Sequence, residues 1–173
     1  AVKDFSVEYG YELFNDGGFS TITMNKIAKA GHFSIMSVYY AFNSKDDLEN
    51  EILSIALGIF KSKLSYKTVS SVSNLNSRLL AAFKEVPGLL HEVIYNNEVV
   101  INRLTSIIAP LLADSVHTDI RTDLFLVCST MSLTQNIDLK IKSQKMLKII
   151  ESMTKNLNPI LCPDDNEPEK LQA

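Results

Sequence analysis

Apolar residues recur three and four positions apart along most of the chain, a spacing that predicts helices. No segment sustains the alternation of apolar and polar residues that is typical of a strand. The first helix is predicted over residues 2–16, and Gly17-Gly18 ends it because glycine readily adopts the positive φ of a helix C-terminus. The chain is therefore predicted to be all-α.

Two short helices are predicted next, over residues 23–30 and 35–40. Thr23 and Ser34 can cap them, since a hydroxyl accepts a hydrogen bond from a backbone N–H that the first turn leaves free. Gly31-His32-Phe33 forms the turn between them. Two short helices joined by a three-residue turn have the dimensions of a helix-turn-helix.

The rest of the chain is predicted to be a helical body. A long helix over residues 45–66, capped by Asn43 or Ser44, is followed by a Ser- and Asn-rich loop over residues 67–76. Further helices are predicted at residues 75–86, 88–96, 98–113, 118–136 and 141–157. The predicted organisation is a helix-turn-helix head at 1–45, a helical body at 46–157 and a flexible tail at 158–173.

The charge pattern constrains the DNA-binding hypothesis. The net charge is −3, and the first 50 residues hold four lysines and seven acids, whereas DNA affinity comes largely from cations that neutralise phosphates. Between Gly31 and Ser44, only His32 can carry a charge. The alternative that we retain is a helical ligand-binding or interaction protein that has lost operator affinity.

The segment LFNDGGFSTITMNKIAKAGHFSIMSVYYAFNSKDDL, residues 13–48, resembles the N-terminal DNA-binding domain of the TetR family. The matching residues are Leu13-Phe14, Gly18-Phe19, Thr23, Ile27-Ala28, Ser34, Ser37, Val38-Tyr39, Phe42, Lys45 and Leu48. The resemblance implies a bacterial transcriptional repressor that binds a palindromic double-stranded DNA operator as a homodimer and is released by a small ligand. The sequence departs from the family pattern at Ile22, His32 and Ala41.

A helix-turn-helix places the start of its second helix in the major groove. Tyr39 and Lys45 flank the end of that helix and are expected to contact phosphates. The remaining residues of the predicted DNA-binding set are Thr23, Ser34, Ile35, Met36, Ser37 and Tyr40. Because Ile35 and Met36 suit thymine methyl groups better than guanine edges, AT-rich half-sites are expected.

A mostly apolar ligand cavity is predicted within the body. Its predicted lining is Ile59, Phe60, Phe83, His91, Ile94, Tyr95, Leu104, Phe125 and Met131. His91 and Tyr95 lie four residues apart and share a helix face, either as polar groups of the cavity or at the helix surface or a dimer contact. Core packing equally accounts for Phe125 and Met131. The small-molecule effector is expected to be apolar or aromatic.

A homodimer is predicted through the last two helices, 118–136 and 141–157. The second would contribute Met146, Ile149, Ile150, Met153 and Leu157. Cys128 and Cys162 are expected to stay reduced in a cytoplasmic protein, because no secretory leader or apolar run of about 18 residues occurs. No enzyme motif and no metal-ligand spacing is found, so neither catalysis nor a cofactor is predicted.

Overall fold

The computed structural model describes residues 1–134, all of which belong to one compact unit. These residues form eight α-helices and no strand. The helices are α1 (Val2–Gly17), α2 (Met24–Ala30), α3 (Ile35–Ala41), α4 (Lys45–Leu64), α5 (Val72–Glu85), α6 (Pro87–Ile94), α7 (Glu98–Ile108) and α8 (Ile120–Thr134). The predicted all-α fold with an N-terminal helix-turn-helix is confirmed.

Hydroxyl caps begin the helices where the sequence predicts them. The Thr23 hydroxyl accepts the Lys26 N–H at 3.1 Å, and the Ser34 hydroxyl accepts the Ser37 N–H at 3.1 Å. Of the two candidates before α4, Ser44 is the cap. At the other end of α1, Gly18 adopts a φ of 84°, as predicted for a glycine that stops a helix.

Two helix boundaries in the body differ from the prediction by three residues or more, and the others by at most two. The loop predicted over 67–76 is shorter, because the Ser71 hydroxyl accepts the Asn74 N–H at 3.1 Å and α5 begins at Val72. The helix predicted over 98–113 ends at Ile108 and continues as a 3₁₀ turn over Ala109–Leu111, which contains the helix-breaking Pro110. Serine-rich segments favour loops and helix caps alike, so composition alone misplaced the start of α5.

The core runs across the predicted boundary at residue 45. Helix α1 packs against α4 and α6, so the head and the first helices of the body share one core. Phe14 of α1 is fully buried, and Gly88 of α6 lies directly against its ring. The Gly88 N–H also donates to the Asn15 side chain at 3.1 Å. Helix α8 packs against α5, α6 and α7.

Several predictions fall on residues that the structure does not describe. The helix at 141–157, its dimerisation residues, Cys162 and the tail at 158–173 all lie outside the described residues. Within residues 1–134, no helix combines the length and apolar character needed to span a bilayer.

Candidate nucleic-acid interface

A small apolar core fixes the angle between α2 and α3. Ile27 and Val38 are fully buried, and Phe42, directly after α3, is 3% exposed. Lys3 lies over the Phe42 ring at 5.7 Å from its centroid, which joins α1 to the end of α3. Ile27, Val38 and Phe42 all belong to the residues that match the TetR pattern. The core holds α3 as a rigid element with one side free.

The turn between α2 and α3 departs from a glycine-based turn. His32 adopts a φ of 55°, whereas Gly31 remains right-handed with a φ of −87°. Gly31 is needed for a different reason, since a Cβ there would lie 2.8 Å from Phe5 and 2.3 Å from Phe33. The left-handed position is therefore occupied by a residue with a Cβ, which is disfavoured but tolerated by histidine.

Replacing His32 by glycine is expected to raise the free energy of unfolding by about 0.5–1 kcal/mol, because glycine relieves the cost of positive φ. His32→Ala is the matched control, since it removes the imidazole and keeps the Cβ. The measurement is urea unfolding followed by circular dichroism. If His32→Ala stabilised the chain as much as His32→Gly, the imidazole and not the backbone would be the source of the strain.

The free side of α3 is apolar and uncharged. Its exposed fractions are 38% for Ile35, 57% for Met36, 44% for Tyr39 and 86% for Tyr40. Large apolar side chains exposed together on one short helix are uncommon on a monomer surface and are typical of a surface that meets a partner. These four members of the predicted DNA-binding set thus lie on the accessible side of α3.

The two serines at the start of α3 interact with each other. Besides capping the helix, the Ser34 hydroxyl lies 2.8 Å from the Ser37 hydroxyl. Each hydroxyl has one donor and two acceptor positions, so this pair retains capacity for a further hydrogen bond. Thr23, which caps α2, is exposed as well.

Lys45 is half-buried and already has partners. Its ammonium lies 3.0 Å from the Glu49 carboxylate and donates to the Phe19 carbonyl at 3.4 Å. A phosphate contact by Lys45 would therefore compete with Glu49. This arrangement lowers the positive potential at the predicted phosphate position, and the first 50 residues already hold seven acids against four lysines.

Phe19 also connects the head to the body through a buried carboxylate that the sequence does not reveal. Glu92 of α6 is 5% exposed, and its carboxylate accepts the Phe19 N–H at 2.7 Å and the Asn97 side-chain amide at 2.8 Å. Burial raises the pKa of Glu92, and the two hydrogen bonds oppose that rise. We call Phe19, Glu92 and Asn97 the junction cluster.

The predicted cavity residues are mostly core residues in the described part of the chain. Phe60 and Phe83 pack edge to face with ring centroids 5.0 Å apart, and both are fully buried. Ile94, Leu104, Phe125 and Met131 are buried as well, and Ile59 is half-buried. Their role in lining a ligand cavity stays a prediction.

His91 and Tyr95 share a face, as their spacing predicts. Their rings stack with centroids 6.3 Å apart. His91 is buried, which excludes the helix-surface alternative for it, and this burial lowers its pKa, while Asp16 opposes that change. Tyr95 is 39% exposed.

A cleft of about 560 Å³ lies between α4 and α7 and opens to solvent. Its lining is Ser54, Leu57, Gly58, Lys61, Tyr66, Arg103, Ser106, Ile107, Pro110 and Leu111. We call it the α4–α7 cleft. None of the nine predicted cavity residues lines it. Among residues 1–134, no three potential metal-ligating side chains come together.

The helix-turn-helix and its flanking helices coincide with a known protein family. Residues 7–52 match the family described as bacterial regulatory proteins, tetR family. The match begins within α1 and ends within α4, so it includes the whole helix-turn-helix. No curated protein matches the chain. Residues 7–52 of this chain therefore form a helix-turn-helix DNA-binding domain of the TetR type.

Proposed function

We propose that the chain is a repressor that binds a palindromic operator as a homodimer and is released by a small ligand. The observation that carries this proposal is the exposed face of α3, within a domain of the TetR type. A dimer with one head on each subunit reads two half-sites related by a two-fold axis. Ligand binding would act by favouring a different spacing of the two heads.

Side chains of α3 supply the base contacts in this proposal. Ile35, Met36, Ser37 and Tyr40 lie on its accessible side, while Tyr39 and Lys45 lie toward its end, where the DNA backbone passes. Ile35 and Met36 offer only apolar contact, so discrimination would rest on thymine methyls and on the hydroxyls of Ser37 and Tyr40. We therefore expect AT-rich half-sites.

The test is a binding series with DNA from upstream of the protein's own gene and with base-substituted variants of any bound site, at two or more salt concentrations. Met36→Ala and Ser37→Ala should change the preference among variants by on the order of 1 kcal/mol per half-site. Lys45→Ala should weaken binding to all variants similarly and lower the salt slope by about one unit for each phosphate that is no longer neutralised. If Lys45→Ala altered preference while the two α3 variants did not, these roles would be wrong.

The ion pair between Lys45 and Glu49 predicts that a change at Glu49 has the opposite effect on DNA affinity to Lys45→Ala. Glu49→Gln should raise DNA affinity roughly two- to fivefold per half-site, because it releases the Lys45 ammonium from a surface ion pair. Glu85→Gln is the matched control: it removes the same charge from the Lys63–Glu85 pair, which lies outside the head. Equal gains for both variants would show that net charge, and not release of Lys45, governs the affinity.

A second candidate function is a ligand-binding or interaction protein without operator affinity. Pairing of the head's lysines with carboxylates favours this second candidate. Lys3 pairs with Glu51 at 2.8 Å, and Lys45 pairs with Glu49 at 3.0 Å. Lys26 donates to the Thr21 carbonyl at 2.9 Å. If the dimeric protein bound no DNA sequence at moderate salt, and Glu49→Gln did not restore binding, this candidate would replace the repressor.

A further inference from the structure

We propose that the α4–α7 cleft binds a small amphipathic organic anion, a carboxylate on an apolar body. Its volume of about 560 Å³ is in the range of small-molecule sites. The identification of this anion as the effector rests on the proposed function. Binding of the anion in the cleft does not, because it can occur without DNA.

Two cations face the cleft from opposite helices. Lys61 belongs to α4 and Arg103 to α7, and neither has an ion-pair partner in the part of the chain that the structure describes. No acid stands three or four residues from either of them along its helix. Two other cations of the body do have such partners, since Lys63 pairs with Glu85 and Arg121 pairs with Glu98.

The rest of the lining suits a ligand with one charged end. Leu57, Ile107, Pro110 and Leu111 provide an apolar wall, and Ser54, Ser106 and Tyr66 add hydroxyl groups. An apolar body could pack on that wall while its carboxylate accepts hydrogen bonds from the guanidinium and the ammonium. An amine of the same shape would instead meet two like charges.

Gly58 is an independent indication that an open cleft has a use at this position. The other five glycines of the chain each lie where a Cβ would come within 3 Å of a neighbouring atom. A Cβ at Gly58 would meet nothing within 4 Å. Glycine inside a helix costs stability, and packing gives no reason for it here, whereas the missing side chain leaves the cleft floor free.

The end of the cleft is held in place by backbone hydrogen bonds. The Val69 N–H donates to the Leu111 carbonyl at 2.7 Å, and the Ala113 N–H donates to the Val69 carbonyl at 3.0 Å. These bonds fix the segment after α4, which carries Tyr66, against the turn that ends α7. The cleft is thus bounded by α4, by α7 and by this hydrogen-bonded segment in the absence of any ligand.

The probe is octanoate, measured by isothermal titration calorimetry on the full chain without DNA. Octanol and octylammonium test the charge, since they keep the apolar body and remove or reverse the anion. We expect octanoate to bind at least about tenfold more tightly than either, because charge-assisted hydrogen bonds form only with the carboxylate. Equal binding of octanol or octylammonium would overturn the proposal.

Three variants locate the site. Gly58→Leu should abolish octanoate binding by filling the cleft, and Arg103→Gln should weaken it by on the order of tenfold. Lys84→Gln, which removes the charge of an exposed lysine on α5, is the control and should leave binding unchanged. Thermal melts verify that each variant folds. Octanoate affinity that survives both Gly58→Leu and Arg103→Gln would place the ligand elsewhere and overturn the proposal.

The role as effector site is tested separately. Octanoate should lower the DNA affinity of the wild-type protein and have no effect on Gly58→Leu. DNA binding that is unaffected by octanoate, in a protein that binds octanoate in the cleft, would refute the effector assignment and leave the site itself established. Failure to bind DNA would refute the proposed function without touching the calorimetric result.

Discussion

Phe14→Ala is expected to lower the free energy of unfolding by about 3–5 kcal/mol, the usual cost of truncating a buried aromatic ring. Phe14 is fully buried where α1 meets α6 and packs against Phe19 with ring centroids 4.6 Å apart. The void would open at the contact between head and body. Urea unfolding followed at 222 nm measures the loss, and a change below about 1 kcal/mol would show that the site collapses around the smaller side chain.

The fit between Phe14 and Gly88 can be tested from the other side. A Cβ at Gly88 would lie 2.3 Å from the Phe14 ring, so Gly88→Ala should cost about 1–3 kcal/mol by overpacking. Combined with Phe14→Leu, the same change should cost clearly less, because the smaller side chain makes room. Gly58→Ala is the matched control, and it should stabilise the chain by about 0.5–1 kcal/mol. Additive effects of the two Phe14–Gly88 substitutions would contradict the contact.

Much of the helical framework could be predicted because its signals are local. Thr23, Ser34 and Ser44 begin helices by hydrogen bonds to residues three positions later, and such bonds are visible in the sequence as a residue type at a position. The exposed face of α3 follows from helical periodicity once Val38 is assigned to the core. The start of α5 was misplaced because serine favours a cap and a loop alike.

The junction cluster and the α4–α7 cleft could not be predicted, since both depend on tertiary contacts. Glu92 and Phe19 lie 73 residues apart, and a lone glutamate within an apolar helix is not a local signal. Lys61 and Arg103 belong to different helices, and only the fold brings them to one cleft. The apolar residues predicted to line a cavity also depend on tertiary contacts. Phe60 and Phe83 pack against each other in the core.

Glu92→Ala is expected to lower the free energy of unfolding by about 1–3 kcal/mol near neutral pH, because it leaves two partly buried donors without their acceptor. These donors are the Phe19 N–H and the Asn97 amide. Glu92→Gln keeps one acceptor and should cost less. The two variants together separate loss of the hydrogen bonds from loss of the charge, and equal costs would mean that the carboxylate charge, not its acceptor role, stabilises the junction.

Glu92→Gln should also change how stability depends on pH. Burial raises the folded-state pKa of Glu92 above its ordinary value of 4.5, and nearby Glu49 adds to the rise while Lys45 opposes it. Between those two pKa values the folded chain holds a proton that the unfolded chain has released, so wild-type stability falls as pH rises from 4.5 through the folded pKa. Glutamine removes that fall.

The stability of Glu92→Gln relative to wild type should therefore increase with pH across this window and level off above it. Burial raises the pKa of Asp123 and lowers that of His91, but both groups are present in the two proteins and cancel in the difference. The measurement is urea unfolding of both proteins at several pH values from 4 to about 8. Parallel curves would mean that Glu92 titrates alike in the folded and unfolded chains, and the junction carboxylate would then be solvated rather than buried.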